Sequence, residues 1–319
     1  MASPLRLAVH PPASGADPES LSAAVRDAWR EVVEEFEAVE AAMSRFRPES
    51  ELSRLNRHAA DTAQDEGRPF RASSRRLRTA LALADRARRR TSGRFDPRVA
   101  RALEAHGFEG TEGRIVPLPP AIVRPLRADR PFELDPRSGA VRLAEPVDLG
   151  GLGKGLALRW AMARAAGGPL RRALEAGGGA LLEAGGDVAV RGRPTDGEWR
   201  VAIEDPGGGA APHAVVTLAD GESIATSSVR VNAWPTVDGR DAHHLIDPRT
   251  GRPGGDGLAA VTVVAGDPAW AEIWTKALFL EGAAGVAPAA RAQGLAAWWV
   301  TTDGALEMTP AARVRTIWP

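Results

Sequence analysis

The residues of this chain best suited to chemistry lie in Asp148-Leu-Gly-Gly-Leu-Gly-Lys-Gly155, a glycine-rich turn that runs into an apolar helical stretch. Closely spaced glycines let backbone N–H groups approach an anion, and a helix N-terminus adds positive potential at the same place. Lys154 supplies a point charge, so the turn is suited to a phosphate or diphosphate. It is neither a P-loop nor a dinucleotide fingerprint. Gly155 follows the lysine where Ser or Thr is required, and no G-x-G-x-x-G lies in a βαβ context. The same glycines would also serve tight packing of a strand against a helix.

Two further constellations lie downstream. His243-His244-Leu-Ile-Asp247-Pro-Arg-Thr250-Gly251 sets two histidines ahead of a D-P-x-T-G turn. Histidines there are suited to proton transfer or ligand binding, while Asp247 and Thr250 also fit the capping of a turn. Ser223-Ile-Ala-Thr226-Ser227-Ser228 is a hydroxyl cluster that either binds phosphate or ends a strand. The basic residues are almost all arginine; the only lysines are Lys154 and Lys276. A compact ammonium is not replaced by a planar guanidinium where space is tight, which singles both lysines out.

Elements must position these residues. Apolar residues at near-helical spacing from Leu21 to Phe46, with no Pro or Gly among them, predict a long amphipathic helix. Ser50 is the N-cap of a short helix through Asn56, and a second long helix runs from Ser74 to Thr91 and stops at Gly93. Residues 110–146 are rich in Pro, Arg and Gly, with alternating pieces at 113–116 and 140–143. They read as hairpins and loops, a variable insertion. The stretch 147–165 reads as a strand end, the glycine turn and a helix. Beyond it, β-rich runs at 180–191, 199–204, 214–218, 258–264 and 296–301 are interrupted by one helix, Pro268 to about Leu280, capped by Asp267. Strands without regular βαβ alternation predict an α+β fold, a mostly antiparallel sheet with flanking helices. Residues 19–319 are expected to form one domain after an unordered segment 1–18.

Composition excludes several function classes. The 319 residues are 44% hydrophobic and 26% charged, with Lys+Arg and Asp+Glu equal at 41 each. No net field favours nucleic acid, and the arginine-rich helix at 74–91 reads as a solvated face. The absence of cysteine excludes disulfides, thiolate catalysis and thiolate metal sites. The first fifteen residues lack a basic segment followed by an apolar run, and no stretch nears 18 apolar residues, so a cytoplasmic protein without a membrane span is expected.

The order of the motifs adds more than any one of them. From residue 43 to 304 the chain resembles the ApbE family, the FAD:protein FMN transferases. The resemblance is carried by Ser50-Glu-Leu-Ser-Arg-Leu-Asn56, Phe95-Asp96-Pro97, Val147–Gly155, Ala184-Gly185-Gly186-Asp187, Trp199–Pro206, Ala225-Thr226-Ser227, His244–Gly251, and Ala277-Leu278-Phe279 before Gly282. It implies a cleft holding FAD, with the isoalloxazine near the first motifs, the diphosphate at the glycine turn, and a divalent metal, usually Mg²⁺, bridging the phosphates. A threonine hydroxyl of an acceptor flavoprotein attacks the FMN-side phosphorus and AMP leaves. On this resemblance Ser50, Asn56, Asp96, Asp148, Gly151, Gly153, Lys154, Gly186, Asp187, Thr226, Ser227, His244 and Thr250 surround FAD. His244 and Asp247 are the catalytic candidates, and Glu272 and Thr275 the candidate metal ligands, although Lys276 occupies a usual ligand position.

The chain departs from the family at the metal-binding helix. Aligned on Ala277-Leu278-Phe279, the usual Asp and Thr four residues apart become Glu272 and Lys276. Glutamate still binds Mg²⁺; an ammonium has no lone pair to offer one. Arg98 stands where a Thr usually follows Phe-Asp-Pro, and Ser228 where a Gly usually follows Thr-Ser. Three readings stay open. Lys276 replaces the metal, giving an FAD-binding homologue with altered or lost transfer activity; or a shifted helix lets Thr275 and Glu272 keep Mg²⁺, or other ligands suffice, and activity is preserved; or Glu272 and Lys276 form an ordinary i,i+4 surface pair, worth about 0.2–0.5 kcal/mol, in a homologue whose site has decayed.

Overall fold

Local start signals act where they stand. Asp17 caps the first helix by accepting the Ser20 N–H at 2.9 Å, and Pro18 takes the first helical position, where no N–H is needed. Ser74 and Asp267 cap two later helices in the same way, accepting from Leu77 and Trp270. The structure, a computed structural model, describes residues 4–13, 17–61, 70–71, 74–106, 108, 132–135, 137–230, 233–235 and 241–318.

In chain order it contains β1 (Leu5–His10), α1 (Pro18–Met43), α2 (Glu51–Asp61), β2 (Phe70–Arg71) and α3 (Arg75–Arg90). A 3₁₀ turn at Pro97–Val99 leads into α4 (Ala100–Ala105), followed by β3 (Phe132–Leu134), β4 (Ala140–Leu143), α5 (Gly153–Gly167) and α6 (Arg171–Glu175). Next come β5 (Gly179–Ala184), β6 (Asp187–Gly192), β7 (Trp199–Ile203), β8 (Ala214–Leu218) and β9 (Ser223–Ser228). Short strands β10 (Ala233–Pro235), β11 (Asp241–His243), β12 (Ile246–Asp247) and β13 (Arg252–Pro253) precede the long β14 (Leu258–Ala265). The chain ends with α7 (Pro268–Phe279), α8 (Gly282–Ala292), β15 (Ala296–Thr301), β16 (Leu306–Met308), α9 (Pro310–Arg313) and β17 (Thr316–Trp318).

The fold is α+β, as expected. Seven strands form an antiparallel sheet in the order β1-β5-β6-β9-β14-β15-β16. One face packs Ala180, Leu182 and Ala184 of β5 and Ala189 of β6 against α1, α5 and the start of α7. The other presents Val188, Val190, Ile224, Val264 and Trp298 to Trp199, Ile203, Val216 and Leu218 of a second sheet, β17-β8-β7. Successive side chains of a strand leave on opposite faces, so Trp298 enters this second layer while its neighbour Trp299 packs with Val286 and Ala290 of α8. The buried Glu35 on α1 takes Arg76 of α3 at 2.6 Å and Arg164 of α5 at 3.3 Å, tying α5 to the helical layer.

Three expectations differ from the structure. Leu5–His10, expected to be unordered, form an edge strand paired with β5 from Leu5↔Ala184 to His10↔Gly179; Leu5, Leu7 and Val9 pack on the helical core, a partner no local signal reveals. The run Gly282–Ala292, rich in Gly and Ala with a proline inside, is a helix, held by burial of Val286 and Ala290. Val147, expected at a strand end, pairs with no strand. Its N–H and C=O bond the Asn56 side-chain amide instead, at 3.0 and 2.9 Å. In the 110–146 stretch, Ala140–Leu143 is a strand between β2 and β3, whereas 113–116 lies outside the described residues.

Candidate functional site

The site is built where two helices touch. Gly155, in the first turn of α5, meets the N-terminus of α7 so closely that an added Cβ would lie 2.5 Å from Ala269 Cα and 2.6 Å from the Pro268 carbonyl oxygen. Only glycine lets the backbones approach this far. The contact puts Lys154 of α5 beside Glu272 and Lys276 of α7. The start of α5 has no side-chain cap of its own; the Gly155 N–H donates instead to Glu272 Oε2 at 2.8 Å. A carboxylate is stabilised at this end of a helix by the macrodipole. The other Glu272 oxygen faces Lys276 Nζ at 3.3 Å.

Lys154 is held from the sheet. Its Nζ lies 2.7 Å from Asp187 Oδ2, and the Asp187 side chain is only 3% exposed. Asp187 starts β6 directly after Gly185 and Gly186, whose φ values of 56° and 87° make the tight hairpin turn that glycine allows. Pairing of β6 with β9 covers only Val188↔Ile224 and Ala189↔Ser223; beyond it the Asp187 carboxylate accepts the Thr226 N–H at 3.1 Å and bridges the opening strands. Burial opposes the charge of Lys154, and Asp187 and then Glu272 outweigh it, so its pKa sits above the ordinary lysine value. The ammonium is therefore fully charged at neutral pH.

Around this junction lies a cavity of about 1340 Å³, lined by the glycine turn, the Gly185–Gly186 hairpin, β9, β7 and the turn that follows α1. Of the residues expected to act there, Asp96, Asp148, Gly151, Gly153, Lys154, Gly186, Thr226, Ser227, His244 and Glu272 line it, as does Lys276. Asp148 does so while committed to structure: Oδ2 pairs with Arg45 Nε at 2.6 Å and Oδ1 accepts the Gly150 N–H at 2.6 Å, which shapes the turn. Asp96 is paired with the buried Arg98 guanidinium at 2.7 Å. Arg98, in the position of the family's Thr, thus neutralises a carboxylate in the cavity wall.

Other expected residues stand behind the wall. Ser50 is 1% exposed and accepts the Ser53 N–H at 3.0 Å, as an N-cap does. Asn56 holds Val147 from below the turn. Asp187 acts through Lys154 and Thr226. Asp247 accepts the Arg249 backbone N–H at 2.9 Å and its guanidinium at 2.6 Å, and Thr250 Oγ1 accepts the Arg252 N–H at 3.3 Å. Both organise the turn that follows His244, and burial pushes the Asp247 carboxyl above its ordinary pKa. His243, beside the wall residue His244, packs edge-on to Phe279 with ring centroids 5.9 Å apart; burial pulls its pKa down to about 4, so it is neutral.

Sequence reasoning passed over Arg45, Phe46 and Phe108. The Arg45 guanidinium lies 4.2 Å from the Phe46 ring centroid and 5.2 Å from that of Phe108, and Phe46 remains 43% exposed on the cavity wall. Phe108 also stacks on Trp234 at 5.5 Å and stands 6.4 Å from His244. The available signal was an aromatic in the polar turn Ser44-Arg-Phe-Arg-Pro48, just past the end of the apolar stripe of α1.

The α7 residues do not fit a divalent cation. Both Glu272 oxygens are engaged, by an amide and an ammonium. Thr275 is 0% exposed, donates to the Glu272 carbonyl at 2.8 Å and lies 2.7 Å from Ser227 Oγ. Mg²⁺ demands an octahedral set of accessible oxygens. Among the described residues, no group of three or more His, Asp and Glu is placed to hold a metal ion.

Comparison with known proteins agrees with this architecture. The ApbE family model matches residues 4–299. An FAD:protein FMN transferase of Klebsiella pneumoniae (strain 342) is 30% identical over 283 residues, 85% of this chain and 75% of that protein. One from Rhodobacter capsulatus is 33% identical over 232 residues, 71% of this chain; the chain spans only 42% of that relative. The solved ApbE protein of Thermotoga maritima superposes with a TM-score of 0.75 at 24% identity, covering 98% of this chain and 95% of its own. The chain belongs to the ApbE family.

Proposed function

We propose that this protein is an FAD:protein FMN transferase, which moves FMN from FAD to a threonine hydroxyl of an acceptor flavoprotein and releases AMP. The observation that carries the reading is Lys154, held 2.7 Å from the buried Asp187 where the glycine turn enters α5, on the wall of the cavity that His244 also lines. The glycine turn, the positive end of α5 and the two lysines suit a diphosphate. Phe46, Phe108 and Arg45 offer an aromatic, cationic surface for a flat ring system.

In such a transfer the acceptor oxygen forms a bond to the FMN-side phosphorus, the bond from that phosphorus to the AMP oxygen breaks, and the hydroxyl proton is lost. Catalysis of this kind needs charge neutralisation and in-line positioning more than covalent chemistry. Lys154 and the α5 N-terminus would neutralise the phosphates. His244 is the residue suited to orient the incoming hydroxyl or accept its proton. Mg²⁺, where bound, would neutralise phosphate charge; the α7 residues do not fit it. Incubation of the protein with FAD and an acceptor peptide, followed by mass spectrometry, tests the reading. A mass gain of one FMN on a threonine is expected; FAD binding without any adduct would leave only a flavin-binding homologue.

A further inference from the structure

We infer that Lys276 takes the place of a divalent cation at the diphosphate site, so that FAD is gripped by the Lys154 and Lys276 ammonium groups without metal. The inference rests on the flavin reading above. Lys276 reaches the glycine turn itself: a Cβ added to Gly151 would stand 3.2 Å from its Cδ and 3.4 Å from its Cε. Its Nζ is fixed from one helical turn back, 3.3 Å from Glu272 Oε1 and 3.4 Å from the Glu272 carbonyl oxygen. An ammonium carries three N–H donors, and both of these contacts are to one residue, so phosphate oxygens can share it.

The tether is rigid. Glu272 is 1% exposed, and its other oxygen is bound to the Gly155 N–H at 2.8 Å, at the point where α5 and α7 touch. Lys154 approaches from the other helix on its own carboxylate, Asp187. Two ammonium groups are thereby held on neighbouring helices, on the wall of one cavity, each positioned by a carboxylate beneath it. A cation seated on Glu272 would have to displace Lys276 and then lie against its charge. A diphosphate, by contrast, gains a charge-assisted donor that the helix has already ordered.

The test is isothermal titration calorimetry of the intact protein with FAD and with riboflavin, each in EDTA and in Mg²⁺. Wild-type protein is expected to bind FAD equally in both buffers. Lys276→Met is expected to lose about 10- to 100-fold in FAD affinity, the range for hydrogen bonds to charged groups, with riboflavin affinity unchanged. Wild-type binding that requires Mg²⁺, or FAD affinity retained in Lys276→Met, would overturn the inference and leave the flavin reading standing. Wild-type protein that binds FAD in neither buffer would overturn both. Should Lys276→Met fail to fold, Lys276→Gln and the wild-type metal comparison still decide.

Discussion

Replacing Gly155 by alanine separates a helix-propensity argument from a packing argument, because the two predict opposite signs. Alanine favours a helix over glycine by about 1 kcal/mol, so propensity alone predicts a more stable protein. The added methyl, however, would meet Ala269 Cα at 2.5 Å, the Pro268 oxygen at 2.6 Å and the Ala269 nitrogen at 2.7 Å. All are backbone atoms, so no rotamer change relieves the clash. The shortfall from the 3.4 Å where ordinary contact begins is nearly an ångström, and α5 and α7 must move apart by about that much. Overpacking of this kind costs about 1–3 kcal/mol. The same movement stretches the Gly155 N–H bond to the buried Glu272 carboxylate, a further 1.5–3 kcal/mol or so if lost. Set against propensity, we expect a net loss of about 1.5–5 kcal/mol in urea unfolding, with weaker FAD binding because Glu272 and Lys276 move away from Lys154. Gly167→Ala is the control: it lies in the same helix, and its Cβ would meet nothing within 4 Å. That variant is expected to be neutral or stabilised by up to about 1 kcal/mol. A Gly155→Ala protein as stable as Gly167→Ala, with wild-type FAD affinity, would refute the claim that this contact builds the site.

Lys154→Met should lower FAD affinity by about 10- to 100-fold and cost about 3–5 kcal/mol of stability, because it strands the buried Asp187 carboxylate. Adding Asp187→Leu should recover stability but not binding, as read by urea unfolding and FAD fluorescence quenching; recovery of both would refute the assignment. His243 gives a pH dependence of known sign. Its folded pKa, about 4, lies below the unfolded value of 6.5, so its contribution is present above pH 6.5 and lost as pH falls towards 4, up to about 3 kcal/mol. His243→Gln should flatten the urea midpoint across that window, and an undiminished slope in the variant would show that another group titrates there.

Much of this protein was legible without coordinates because its signals are local. Ser74 and Asp267-Pro268 start helices through hydrogen bonds that span three residues; the same kind of start at Asp17-Pro18 lies in a stretch expected to be unordered. The glycine turn declared an anion-suited loop, and the ordered motifs indicated the family. The edge strand Leu5–His10 and helix Gly282–Ala292 were not legible, since each is stabilised by a partner far away in sequence. The residue types of the motifs likewise did not say which side chains face the cavity. Ser50, Asn56, Asp247 and Thr250 match the family pattern as well as Gly186 or Thr226 does, yet they brace the backbone behind the wall. Lys276 shows the division most clearly. Its identity, one of only two lysines, is a fact of the sequence. That its ammonium shares the buried Glu272 with the Gly155 amide of α5, beside the glycine turn, was decided by the approach of two helix backbones at Gly155, more than a hundred residues away in the chain.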